Sequence, residues 1–309
     1  MPKIMYKGKR FSEGVLDVLA QATEIIDEYE RLGFKLTLRQ LYYQFVSRGL
    51  LPNQDRSYKR LGKIISDGRL AGLIDWDAIE DRTRFLRKNN HWIDPAEIVD
   101  ICARQFAIDK WGDQEFRPEV WIEKDALVGV IEGVCNRLDV PYFSCRGYMS
   151  QSEMWVGAMR MVDWVKMGQK PLIIHLGDHD PSGVNMTSDI AERLQLFCEQ
   201  HVDAALTPVV NRVALTMDQV DQYNPPPNPA KLTDTRARAY IVEFGGSSWE
   251  LDALEPQVLS DLVRDTIDSV RDMDLWREAV RKERQYRYEL RQVSNRWVDV
   301  VDWIGSQEG

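Results

Sequence analysis

Cysteine is scarce and scattered. The 309 residues include four, Cys102, Cys135, Cys145 and Cys198. No two stand at the CxxC spacing of a structural zinc site or in the dense pattern of a disulfide framework, so they are expected to be reduced and buried. Long apolar runs are also missing. Nowhere do roughly 18 uncharged apolar residues follow one another, as a membrane helix requires. The opening MPKIMYKGKRFSEG has no apolar secretory core, and a cytoplasmic protein with no membrane partner is expected. There is no internal repeat, no low-complexity tract and no glycine-rich ATPase motif.

Apolar residues make up 44% of the chain, enough to bury a substantial core, and the length suits two domains. A net charge of −9 taken alone counts against a nucleic-acid partner, but the charge is unevenly placed. From Arg31 to Asn90 there are 13 basic and 6 acidic residues, against 27 and 43 in the remainder. A basic module joined to a carboxylate-rich one suits a DNA-binding head on an acidic domain, although a solvated charged face has the same composition.

Residues 11 to 32 carry Val15, Val18, Leu19, Ala22, Ile25, Ile26 and Tyr29 at helical spacing, which predicts an amphipathic helix ended by Gly33. A second helix is expected from Thr37, a candidate N-cap, to about Gly49. After the turn LLPNQD comes a third helical stretch, SYKRLGKIISDGRLAGLI, with Lys59, Arg60, Lys63 and Arg69. DWDAIEDRTRFLR then reads as a short wing. Helix, turn, basic helix and wing follow the order of a winged helix-turn-helix, whose second helix enters the major groove.

From about Pro118 strands and helices alternate: EVWIEKD, then helical ALVGVIEGVCNRL, VPYFSCRGY, helical SQSEMWVGAMRMVDWVKMG, PLIIHLGDHDPSG, helical VNMTSDIAERLQLF and TPVVNRVALT. Ser150 and Glu153 have capping-box spacing. This βαβαβαβ order predicts an α/β fold with a Rossmann-like parallel sheet covered on both faces. NPPPNPA at 224 to 230 reads as a linker, and the tail from Leu275 to Ile304 reads as a long amphipathic helical extension that packs on the domain or on a second copy. The expected division is 1–95, 96–223 and 224–309.

Functional groups in open parallel sheets gather at the carboxyl ends of the strands. Glu123 follows the first strand, and Asp178 and Asp180 follow the third. Three carboxylates converging there repel unless a cation intervenes, and oxygen ligands suit Mg²⁺. Each piece also has a structural account. Asp-Pro-Ser-Gly is good turn chemistry, and Glu-Lys-Asp after a strand can simply begin a helix. His175 reads as a satisfied structural histidine, while the role of His179 stays open.

IEKDAL, RGYMS and LGDHDPSG together resemble the Toprim domain of the topoisomerase VI A subunit and its meiotic double-strand-break relatives. TLRQLYYQ resembles the Arg-x-x-Tyr-Tyr segment of that family's winged-helix domain. The resemblance spans roughly residues 35 to 255. It implies a winged-helix domain followed by a Toprim domain, with Tyr43 as the nucleophile. DHDPSG departs from the commoner spelling of the third motif. Helical geometry bears on the tyrosines separately: Leu38, Leu41, Tyr42, Phe45 and Val46 form a core stripe. Tyr43 lies off that stripe and shares a surface with Arg39 four residues earlier. Tyr42 is therefore expected to pack and Tyr43 to be exposed.

The resemblance further implies that Tyr43 attacks a phosphodiester of double-stranded DNA to give a 5′-phosphotyrosyl link, with Arg39 stabilising charge and Mg²⁺ held by Glu123, Asp178 and Asp180. Lys124 and Arg146 are expected on the phosphate, and Lys59, Arg60 and Lys63 along the duplex backbone. Cutting both strands needs two tyrosines, so a homodimer is expected in which each tyrosine meets the partner's metal site. Strand passage implies a separate GHKL-type ATPase subunit, and the location is nucleoid-associated. Two rivals stay open: a Toprim nuclease whose carboxylates activate water, and a non-cleaving DNA-binding protein of a phage or defence system.

Overall fold

The computed structural model describes residues 3–79, 89, 91–230 and 233–307. Contacts divide the chain into two compact units, Met1–Arg84 with Pro118–Ser269, and Phe85–Arg117 with Val270–Gly309. Each unit is built from two separated stretches, so the division does not follow the expected boundaries at 95 and 223.

The first unit begins with helices α1 (Glu13–Arg31), α2 (Leu38–Ser47) and α3 (Asp55–Leu70). The predicted apolar spacings are the buried ones: Leu19, Ile25, Ile26 and Tyr29 meet Leu41, Tyr42 and Phe45 of α2 and Leu61, Ile64 and Ile65 of α3 in a single core. Gly33 ends α1 with φ at 84°, a left-handed conformation that glycine adopts without steric cost. Thr37 caps α2 through a full capping box: its hydroxyl accepts from Gln40 N–H at 3.3 Å, and the Gln40 carboxamide accepts from Thr37 N–H at 2.8 Å. Thr37→Ala is expected to lower stability by about 1 kcal/mol, read as a lower urea midpoint with unchanged slope. Helix α3 starts two residues earlier than the sequence suggests because the Tyr42 hydroxyl accepts from Gln54 N–H at 2.7 Å and fixes the preceding turn. The stretch read as a wing runs into residues 80–87, which lie outside the described residues.

Among the described residues, strands β1 (Phe116–Ile122), β2 (Tyr142–Ser144), β3 (Lys170–Leu176) and β4 (Val209–Ala214) form one sheet in the order β2-β1-β3-β4. β1 pairs parallel with β2 and β3 parallel with β4. Glu123 N–H donates to Leu176 C=O at 2.8 Å, so the carboxyl ends of β1 and β3 lie together. β1 and β3 are apolar and buried along most of their length, as strands covered on both faces are. Trp121 and Ile173 pack with α6 (Gln151–Lys166) and α7 (Pro181–Cys198). Ile131 and Val134 of α5 (Val128–Arg137) are also buried. The chain is thus a mixed α/β protein with a Rossmann-like parallel sheet. β2 is shorter than VPYFSCRGY suggests, because Arg146 and Gly147 both take positive φ and turn the chain away from the sheet.

After α8 (Met217–Tyr223), the proline-rich stretch does not run as a bare linker. Asn228–Pro229 (β5) pairs antiparallel with Ser247–Ser248 (β6), on either side of α9 (Ala237–Phe244). α10 (Pro256–Val270) closes this unit.

In the second unit, α4 (Pro95–Gln105) packs along α11 (Met273–Asn295). Trp111 meets Trp276 edge to face, and Lys110 pairs with Glu283 at 2.7 Å. The helical tail consists of α11 followed by α12 (Trp297–Gln307). No helix among the described residues is long and apolar enough to cross a membrane.

Candidate active site

The site lies within the first unit, where the carboxyl ends of β1 and β3 meet a short segment after β6. Glu123 and Asp178 come together as the strand-end pattern anticipates: Glu123 Oε2 accepts from Asp178 N–H at 2.8 Å. Asp180 has a second role. It is the N-cap of α7, its Oδ1 accepting from Gly183 N–H at 2.6 Å and from the Ser182 hydroxyl at 2.9 Å, as the turn account of Asp-Pro-Ser-Gly has it. Gly183 is required sterically, since a Cβ there would stand 2.2 Å from the Asp178 carbonyl oxygen. Gly183→Ala is expected to displace the Asp178 loop and lower the thermal midpoint, with Asp178-dependent activity falling together with it. A calorimetric scan beside the activity assay checks this.

Five groups complete the site. The Lys124 ammonium, largely buried, lies 2.8 Å from Asp178 Oδ1 and 3.0 Å from Asp252 Oδ1 and is in ion-pair contact with Glu250. Asp252, with no exposed side-chain surface, pairs through Oδ2 with Arg39 Nε at 3.1 Å. Arg39 in turn places Nη2 3.5 Å from the Tyr43 hydroxyl and its guanidinium 5.6 Å from the Tyr43 ring centroid. A continuous chain of charge therefore runs from Tyr43 through Arg39, Asp252 and Lys124 to Asp178. All of these residues belong to the first unit of the chain.

Glu250 and Asp252 were not anticipated from sequence. The segment that carries them is pinned by His179, which exchanges backbone hydrogen bonds with Trp249 at 2.8 and 2.9 Å, and by Asp178 Oδ1, which accepts from Leu251 N–H at 2.7 Å. The available signal was the spacing: Glu250-Leu-Asp252 has the acidic-x-acidic form of Asp178-His-Asp180. Arg212 on β4 was also missed. It donates to the carbonyls of Gly177, Asp178, Gly183 and Leu215 and to the Thr187 hydroxyl. His175 is fully buried with Nδ1 2.9 Å from the Thr187 hydroxyl, but its Nε2 has no hydrogen-bond partner among the described residues, so it is not the fully satisfied histidine expected; burial with Arg212 nearby lowers its pKa to about 3. His179 is fixed by the Tyr240 hydroxyl at 2.8 Å.

The expectation that Tyr43 is exposed does not hold. Both tyrosines are buried, Tyr43 at 9% relative exposure, with the two rings edge to face at 5.6 Å. Helical periodicity placed Tyr43 off the core stripe, but its ring joins the same buried cluster as Leu41, Tyr42 and Phe45. Tyr43 still lines a pocket of about 200 Å³ together with Arg39, Asn53, Asp55 and Tyr58. Burial raises its pKa, Glu250 and Asp252 raise it further, and Arg39 and Lys124 oppose the rise.

Burial is also the main cause at the strand-end carboxylates. It raises the Glu123 pKa and pushes Asp178 up to about 8, with Glu123 and Glu250 adding to the Asp178 shift and Lys124 opposing it. Crowded acidic oxygens of this kind are the ligand type that Mg²⁺ takes, and the mutual repulsion favours a cation among them, so the donor chemistry fits the implied Mg²⁺. Among the described residues, no three His, Cys, Asp or Glu side chains are gathered in one ligand sphere. The cation now among these acids is the Lys124 ammonium.

The remaining predicted residues lie apart from this cluster. Lys59, Arg60 and Lys63 are on the exposed face of α3, with Lys59 paired to Asp55 at 2.6 Å. Arg146 is exposed and pairs with Asp125 at 3.1 Å, beside a cleft of about 490 Å³ that also includes Ser144, Cys145 and Glu153. Neither a protein-family model nor a curated protein matches the chain.

Proposed function

We propose that the protein is a DNA-cleaving transesterase in which Tyr43 attacks a phosphodiester, as in the topoisomerase VI A subunit that the sequence resembles. The observation that carries this reading is the chain of charge joining Tyr43 through Arg39, Asp252 and Lys124 to Asp178 and Glu123. It sets a tyrosine, two cations and the strand-end carboxylates in one place, the combination that phosphoryl transfer uses.

In the reaction a bond forms between the Tyr43 oxygen and phosphorus, and the 3′-oxygen leaves, producing a 5′-phosphotyrosyl end and a 3′-hydroxyl. The phenol proton departs to solvent as the new bond forms, because the buried hydroxyl is held protonated at neutral pH, and the leaving 3′-oxygen takes up one proton, so the proton count is unchanged. Arg39, 3.5 Å from that hydroxyl, stabilises the phenolate and the equatorial phosphoryl oxygens. Glu123, Asp178 and Asp180 would hold Mg²⁺, which when bound supplies charge neutralisation at the phosphate. The exposed basic face of α3 with Lys59, Arg60 and Lys63 tracks the duplex backbone, and Arg146 holds a flanking phosphate. Cleavage of both strands calls for a homodimer, and strand passage for a separate GHKL-type ATPase subunit.

One observation favours a second reading, a metal-dependent nuclease: Tyr43 is buried against Tyr42, as a packing residue is. Supercoiled plasmid incubated with the protein and Mg²⁺, stopped with detergent and compared with and without protease separates the two. Protein-linked 5′ ends support the transesterase. Free ends made equally by wild type and Tyr43→Phe but lost in Glu123→Ala overturn it in favour of the nuclease. DNA binding with no cutting, unchanged in Glu123→Ala and with a candidate ATPase partner added, leaves a DNA-binding protein.

A further inference from the structure

Two carboxylates face the same pair of cations, and they differ in placement. Asp252 is fully buried and bridges Arg39 Nε at 3.1 Å and Lys124 Nζ at 3.0 Å. Glu250 is at the rim, its side chain 21% exposed, with Oε2 in contact with Lys124 Nζ and 4.0 Å from Arg39 Nη2. Arg39 itself is half exposed, and the same Nη2 lies 3.5 Å from the Tyr43 hydroxyl. A carboxylate and a phosphodiester both offer a pair of oxyanion acceptors to a guanidinium and an ammonium.

We infer that Arg39 and Lys124 form a seat for a DNA phosphodiester and that Glu250 occupies this seat until DNA displaces it. The inference rests on the reading that DNA is the ligand. Asp252 fixes the two cations from below, and Glu250 neutralises them from the solvent side. A phosphate that replaces Glu250 is bound beside the Tyr43 oxygen, so the seat selects the phosphodiester to be attacked. Displacement of Glu250 is then part of substrate binding, and the site discriminates against ligands too weakly anionic to compete with a carboxylate.

The test is binding of a labelled DNA duplex by fluorescence anisotropy in EDTA over a range of salt. Glu250→Gln is expected to bind several-fold more tightly than wild type. The phosphate contact is the same in both proteins once Glu250 is displaced, so the tightening is expected with a similar dependence of log affinity on log salt. Glu250→Ser is expected to shift in the same direction, which guards against an effect peculiar to glutamine. Asp252→Asn removes the same charge from beneath the cations and is expected not to tighten binding. Glu243→Gln, on the exposed side of α9, controls for net charge. The inference is overturned if Glu250→Gln, shown folded by circular dichroism, binds no more tightly than wild type, or if Glu243→Gln tightens binding as much. No binding by any variant removes DNA as the ligand and the seat with it. Because cutting is not measured in EDTA, tighter binding by Glu250→Gln stands even where the plasmid assay yields no protein-linked ends.

Discussion

Tyr43→Phe is expected to lose protein-linked DNA ends by a factor on the order of 10⁵, the scale of removing a nucleophile from a covalent mechanism. The substitution is close to neutral for the fold. The phenylalanine ring keeps the edge contact with Tyr42 and the face offered to Arg39, each at 5.6 Å. The hydroxyl that is lost has one long contact, 3.5 Å to Arg39 Nη2, so its removal is expected to change stability by less than about 0.5 kcal/mol. Loss of cleavage with an unchanged thermal midpoint is therefore the expected pair of results, measured on the same preparation. Cleavage that survives in Tyr43→Phe sinks the transesterase. The contrasting variant is Tyr42→Phe, which removes the acceptor for Gln54 N–H and is expected to lower stability by about 1 kcal/mol while leaving the chemistry in place.

The largest expected effect on stability comes from Arg212→Met. The Arg212 guanidinium reaches four backbone carbonyls and the Thr187 hydroxyl, and burial lowers its pKa although Glu123, Asp178 and Asp180 oppose the shift. Methionine fills much of the stem volume but removes a donor from the carbonyls of Gly177, Asp178, Gly183 and Leu215 and one compensating charge from beside the carboxylates. Breaking a buried charged network of this kind costs about 3–5 kcal/mol, which for a unit of this size lowers the thermal midpoint by roughly 6–20 °C. Differential scanning calorimetry checks this. A midpoint within about 2 °C of wild type would mean that the network does not hold the β3–α7 turn. Arg212→Lys is expected to recover only part of the loss, since one ammonium cannot span acceptors on both sides of the fork.

Local patterns that depend on neighbours in sequence were legible. The apolar spacing of α1 and α2, the glycine that ends α1, the Thr37 cap and the apolar strands β1 and β3 all follow from residues within a few positions of one another. The approach of Glu123 to Asp178 was legible for a different reason: strand ends in a parallel sheet converge, so a strand order implies a meeting place. The short β2 and the early start of α3 were not, because the first depends on two residues with positive φ and the second on a tyrosine hydroxyl twelve residues away.

By itself the sequence determined the α/β class, the basic first module and the acidic strand ends, since periodicity and charge are local properties of a chain. Only the tertiary structure decided the surroundings of Tyr43. A helical repeat reports which side of α2 points to its own core, and it carries no information on what covers the other side. Here Arg39 on that side meets Glu250 and Asp252, more than 200 residues away and held in place by His179 and Asp178. Their two charges keep Arg39 and Lys124 paired, and the largely buried Lys124 ammonium in particular must find partners wherever the fold brings them.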